Sequence, residues 1–236
     1  MFGVIAILGR GIRRLEPLGP CWVLTEDLEV YDDNGAHLRA RVPADDENPN
    51  CLVGGGELNL HAGLALYQLE GSRIVVCAYG NRSAYLREAE APLESVVMSK
   101  IFKDRAPLTQ TSVWSEDDPT RFPSNSDREL QNIFEFAVSS RDFSRVRVAV
   151  LTVAVHLPRV MLFSKKHLEA PEFENLRVSF FSAEQVFLET NPMLAPRILA
   201  LWSSKAFQRT AERELRGVRN FEAGNYRAII DRVPSK

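Results

Sequence analysis

The sequence predicts an α/β protein: a three-layer α/β/α, Rossmann-like sandwich with a mostly parallel sheet, an inserted β-hairpin and a C-terminal helical extension. Two observations carry that expectation. Residues 146–163 pass from an apolar run with β-branched Val146, Val148, Val150, Thr152 and Val153 into a helix-like pattern, and a strand without polar alternation is what a sheet covered on both faces requires. Apolar runs at 2–8 and 74–78 likewise end in turns that carry Gly9, Gly11 and Gly80, as strands of an α/β sheet do where they approach a ligand.

The 236 residues suit one large domain with embellishments: residues 1–190 as the α/β domain, with a hairpin insert at about 15–50, and 191–236 as helices packed on it. Charge nearly cancels, 29 basic residues against 31 acidic for a net of -2. No global field therefore draws the chain to nucleic acid or an anionic membrane. Cys21, Cys51 and Cys77 fit no close-spaced metal or redox pattern, so they are expected to be small buried hydrophobes, with no metal site and the reducing cytosol as the compartment. The apolar opening is cut short by Gly9, Arg10 and Gly11, well under the roughly 20 residues of a membrane span.

In chain order, 2–8 is the first strand. Its Gly9-Arg10-Gly11 turn leaves backbone amides open to a phosphate, although Arg14 stands where the dinucleotide fingerprint wants a third glycine. Residues 22–31 and 37–42 flank Asp32-Asp33-Asn34-Gly35, a tight-turn signal that predicts a hairpin. The acidic stretch 43–49 is expected to be a solvated loop. Gly54, Gly55 and Gly56 then precede a helix over 59–69; they either cradle an anion at its N-terminus or simply return the chain from the hairpin.

A strand at 74–78 leads to a helix over 88–102, near whose start Glu88 either complements the helix dipole or holds a ligand. A short strand at 108–114 and a polar loop bring the chain to Ser124, Asn125 and Ser126, a helix N-cap cluster that is also a candidate for ligand contact. After the 146–153 strand, Pro158 suits a first helical turn. That puts His156 and Arg159 beside the helix's unpaired amides, at the carboxyl end of a parallel strand where open sheets bind ligands. A strand at 176–181 and a short helix at 183–188 follow. Residues 196–222 are expected to form one long helix with Ile198, Leu201, Trp202, Leu215 and Val218 inward and Arg209, Arg213, Arg216 and Arg219 on a basic, solvated face.

This order of stations resembles the YdcF-like family, the domain of unknown function 218, which includes SanA- and ElyC-type envelope proteins. The similar features are the glycine turns at 9–11 and 54–56, Leu64-Ala65-Leu66-Tyr67, the strand ending at Gly80, Glu88-Ala89, Ser124-Asn125-Ser126, and a Thr-x-x-x-His-x-x-Arg element matched by Thr152, His156 and Arg159. Arg10 stands where the family has a glycine. The resemblance covers about 1–13 and 51–168. It implies a Rossmann-like domain binding a nucleotide-like or phosphorylated ligand, with S-adenosylmethionine or a nucleotide as the candidate cofactor.

The leading expectation is thus a pocket for a small anionic ligand. The glycine turns (Gly9, Gly11, Gly54, Gly55, Gly56, Gly80) and Arg159 would take the charge, and Ser124, Asn125, Ser126 and Thr152 would supply hydrogen bonds. His156, with Glu88, would be the acid–base residue of a hydrolase or transferase acting on a phosphorylated substrate. S-adenosylmethionine-dependent methyl transfer and a non-catalytic binding or scaffolding module are the alternatives. Nucleic acid is not the expected partner, and the sequence is silent on oligomeric state.

Overall fold

The computed structural model describes residues 1–15, 21–31, 44–80, 86–87, 89–106, 111–115, 125–139 and 146–226. Its centre is a five-stranded parallel sheet of β1 (Phe2–Ile7), β6 (Ser72–Cys77), β7 (Ser112–Ser115), β8 (Val146–Thr152) and β9 (Leu176–Ser182), in the order β7-β6-β1-β8-β9. Four short strands lie apart from it: β2 (Ile12–Leu15) pairs antiparallel with β3 (Cys21–Leu24), and β4 (Leu28–Val30) with β5 (Cys51–Val53). The helices are α1 (Gly56–Glu70), α2 (Glu94–Arg105), α3 (Ser126–Ser139), α4 (Leu157–Leu168), α5 (Ala183–Thr190), α6 (Ala195–Ser203) and α7 (Lys205–Glu222).

Sheet alternation divides the core in two. Ile5, Ile7, Ala149 and Leu151 join Leu58, Leu60, Met98, Phe102, Val186 and Ile198 on one face; Val4, Ala6, Val148 and Val150 join Ile133, Phe134, Val160 and Phe163 on the other. That is the α/β/α sandwich, Rossmann-like as the apolar strand runs foretell. Because successive strands step outward from β1 in one direction and then, from β8, in the other, the order reverses between β1 and β8. In open α/β sheets that reversal opens a crevice at the carboxyl ends of the two strands.

Several expectations change. Residues 22–31 are not one hairpin strand: Cys21–Leu24 turns back on Ile12–Leu15, and Leu28–Val30 pairs with Cys51–Val53, while the expected second strand and its Asn-Gly turn lie outside the described residues. The long C-terminal helix is two, broken at Ser204, whose hydroxyl accepts from Phe207 N–H at 3.0 Å as the N-cap of α7. Asp46, expected in a solvated loop, instead accepts from the α7 amides of Lys205 (2.8 Å) and Ala206 (2.7 Å).

The buried stripe of α7 is Ala206, Thr210 and Glu214, with Leu215 exposed. Arg209 turns from solvent to the carbonyls of Cys51 and Asp46. Cys51 and Cys77 are buried, but Cys21 is exposed. Among the described residues no helix is long and apolar enough to cross a membrane.

Ser204 and Asp46 together satisfy the amides that open α7, the helix that carries Glu214 to the rim. Replacing Ser204 by alanine is expected to lower stability by about 1 kcal/mol, read as a denaturant midpoint shift with unchanged slope; an unshifted midpoint contradicts the capping role.

Candidate functional site

The carboxyl ends of β1 and β8 are surrounded by the turns that follow those strands, the glycine turn that opens α1, and residues of α3, α4 and α7. After β1, Arg10 sends Nε to Gly54 O and Nη2 to Val53 O, both at 3.1 Å, and Nη1 to Glu214 Oε1 at 3.3 Å. After β8, residues 153–156 form a tight turn: Val153 O accepts from His156 N–H (3.0 Å), and Ala154 N–H donates to Glu184 Oε2 (2.7 Å). The turn delivers His156 as the residue before α4, with Pro158 in the first helical turn. There it meets Glu214 from α7 and Ser126, the first residue of α3.

His156 Nδ1 lies 2.9 Å from Glu214 Oε2, and Nε2 lies 3.3 Å from Ser126 Oγ. Burial would raise the Glu214 carboxyl, but His156, Arg159 and Arg10 outweigh it and hold the pKa down to about 2. Burial takes His156 the other way, to about 4, against the pull of Glu214. At neutral pH the pair is therefore a carboxylate and an uncharged imidazole. An ionised carboxylate only accepts, so the imidazole proton is on Nδ1 and the Nε2 lone pair faces Ser126.

Arg159 stands on the same carboxylate. Its Nε lies 2.9 Å from Glu214 Oε2 as an ion pair without linear hydrogen-bond geometry, and its Nη2 lies 3.2 Å from His156 Nδ1, which carries the proton. Gly217, one turn beyond Glu214 on α7, makes room for it: a Cβ there would come within 2.8 Å of Arg159 Nη1. Arg10 spends all three nitrogens inside the protein. Arg159, among the described residues, keeps its terminal N–H groups without a carbonyl or carboxylate acceptor.

The glycine turns converge on this cluster, yet the amides of Arg10, Gly11, Gly54, Gly55 and Gly56 are engaged. Arg10 and Gly11 N–H donate to one oxygen of Glu94, at 2.5 and 2.6 Å. Gly9 and Gly80 lack side chains where that carboxylate lies, since a Cβ on either would approach Glu94 Oε2 to 2.7 or 2.1 Å. The turn does hold a carboxyl group, one supplied by the first residue of α2. Gly54 and Gly55 N–H donate to Asp27 O and Glu26 O, and Gly56 N–H to Thr25 Oγ1. Gly55, at φ 88°, packs where a Cβ would strike Val153.

Of the remaining expected residues, Asn125 uses its side chain to cap α3, accepting from Arg128 N–H at 2.9 Å. Thr152 is fully buried, its hydroxyl 3.5 Å from the Asn59 amide that also donates to Leu8 O. Glu88 and Ser124 lie outside the described residues, and α2 opens at Glu94, later than the expected 88. The structure adds Arg10, Glu94, Glu184, Glu214 and Tyr226 to the site. The signals for them were slight: an arginine inside a glycine turn, a glutamate just after Pro92, and the polar stripe Thr210, Glu214, Gly217 at helical spacing.

Among the described residues no group of three or more His, Cys, Asp or Glu is placed to hold a metal ion. A separate cavity of about 450 Å³, lined by Glu26, Asp27, Glu57, Arg197 and neighbours, contains none of the expected site residues. Comparison of the chain with known protein families, curated proteins and solved structures finds no match, so what this rim can do rests on its own geometry.

Burial lifts Glu94 from its ordinary 4.5 to about 7, against the two amide bonds and Arg10. A raised folded-state value means its contribution to stability is complete below pH 4.5 and is lost as pH rises through 7. Glu94→Gln is expected to flatten the melting temperature between those limits relative to wild type. Equal slopes in the two proteins contradict the assignment.

Proposed function

We propose that the crevice binds a small phosphorylated or nucleotide-like anion and that His156 moves the proton in hydrolysis or transfer of its ester. The observation that carries this reading is a buried, neutral imidazole with its Nε2 lone pair facing the Ser126 hydroxyl, beside Arg159, whose terminal N–H groups have no carbonyl or carboxylate acceptor among the described residues. A guanidinium of that kind matches two oxygens of a phosphoryl group. A base kept uncharged at neutral pH is available to take a proton. Among the described residues Glu214 is the ionised carboxylate that Arg10 and Arg159 share, so the pair of cations exceeds it in charge and favours an anionic guest.

Recognition in this reading falls to a side-chain cation, because the turn amides of Arg10 and Gly11 already serve Glu94. The resemblance of Thr152, His156 and Arg159 to the YdcF-like element points the same way. Methyl transfer from S-adenosylmethionine ranks behind, since a methyl group passed to a ready nucleophile makes no use of a relay between a carboxylate, an imidazole and a hydroxyl.

The test is calorimetric titration with inorganic phosphate and with AMP, preceded by native mass spectrometry of the purified protein for a co-purifying anion. Arg159→Ala is expected to weaken phosphate binding by at least about tenfold, the loss of a charge-assisted contact worth about 1.5–3 kcal/mol. His156→Ala is expected to leave it within a few-fold. Undiminished binding in Arg159→Ala overturns the anion site.

A further inference from the structure

Ser126 is more than a helix-opening residue. It is the first residue of α3, and the capping of that helix falls to its neighbour Asn125, which leaves the Ser126 hydroxyl to face the imidazole. From there the contacts run in one line: Ser126 Oγ to His156 Nε2 at 3.3 Å, His156 Nδ1 to Glu214 Oε2 at 2.9 Å. A nucleophile within reach of a base, and the base oriented by a third group, is the arrangement that activates a weak hydroxyl, and the first contact is commonly loose before substrate binds. Tyr226 shares a hydrogen bond with Ser126. With the serine proton directed at Nε2, the phenol is the donor in that bond and fixes the remaining rotation of the hydroxyl.

We propose that Ser126 is the nucleophile of this site and that ester cleavage passes through a covalent phosphoseryl intermediate, with His156 as base and Glu214 as its positioning residue. This rests on the anion site above. As the Oγ–P bond forms, the Ser126 proton passes to His156 Nε2, and the P–O bond to the leaving alcohol breaks. The leaving oxygen takes the proton from Nε2. Water then attacks phosphorus and gives its proton to Nε2, the Oγ–P bond breaks, and the proton returns to Oγ, so that ester and water yield alcohol and phosphate.

Glu214 remains ionised and steadies the imidazolium formed in each half. Arg159 takes the charge that gathers on the phosphoryl oxygens. Nothing in this scheme draws on the turn amides, which agrees with their engagement by Glu94. The carboxylate of the relay comes from α7, a helix far along the chain that the topology folds back over the rim.

The test is covalent labelling with an ethoxyphosphonofluoridate probe, read by intact mass and peptide mapping, in parallel with 4-nitrophenyl phosphate and 4-nitrophenyl acetate turnover. The expected result is one adduct, on Ser126, formed at least about a hundredfold more slowly in His156→Ala, and absent in Ser126→Ala with its melting temperature retained. Mapping on the wild type needs no variant to fold. An adduct elsewhere, or none, while phosphate binding still depends on Arg159, overturns the nucleophile and leaves the anion site standing. Labelling of Ser126 with phosphate binding indifferent to Arg159 does the reverse. Turnover of the acetate ester alone overturns the phosphoryl substrate class.

Discussion

A carboxylate buried as deeply as Glu214 is stable only if positive charge is buried with it, since removing one partner of such a pair costs about 3–5 kcal/mol. Here that requirement organises the rim. Arg10 comes from the turn after β1 and Arg159 from the first turn of α4, and both cations meet Glu214, which α7 carries in from the far end of the chain; the neutral His156, the residue before α4, meets it too. Arg10 also reaches the carbonyls of Val53 and Gly54, so the edge of the small β4–β5 pair is fastened to the same point. One charge thus fixes the relative positions of β1, β5, α4 and α7.

Two further glutamates fasten the turns themselves. Glu94 and Glu184 each stand at the start of a helix, where the dipole favours negative charge, and each reaches back to amides of a turn on the crevice: Glu94 to Arg10 and Gly11, Glu184 to Ala154. In many α/β proteins the amides of the first turn are left for a phosphate. Giving them to an internal carboxylate makes the turn rigid without a ligand and moves anion recognition to Arg159. The absence of side chains at Gly9 and Gly80 follows from that choice, because Glu94 fills the space their Cβ atoms would need.

The sandwich was legible because its signal is local: the apolar run Val148-Ala149-Val150-Leu151 in β8, and Pro158 just beyond the turn, place His156 and Arg159 at a strand end before any tertiary information. Glu214 was not legible. Helical periodicity assigns apolar residues inward, and by that rule Leu215 belongs to the core and Glu214 to solvent. A helix packed over a polar cluster inverts the rule, burying Ala206, Thr210 and Glu214 and exposing Leu215. Arg10 read as a defect in a glycine turn because its partners lie 43 to 204 positions away. Glycines suggest open amides, but whether those amides are open depends on side chains such as Glu94 and Thr25 that only folding brings near.

The protonation state of His156 tests this account most directly. Nitrogen-15 chemical shifts of the imidazole at pH 7 are expected to show a proton on Nδ1 and none on Nε2, with the ring staying uncharged until well below pH 6 under the joint influence of burial, Arg159 and Arg10 against Glu214. A ring protonated at both nitrogens at pH 7, or a tautomer with its proton on Nε2, contradicts it.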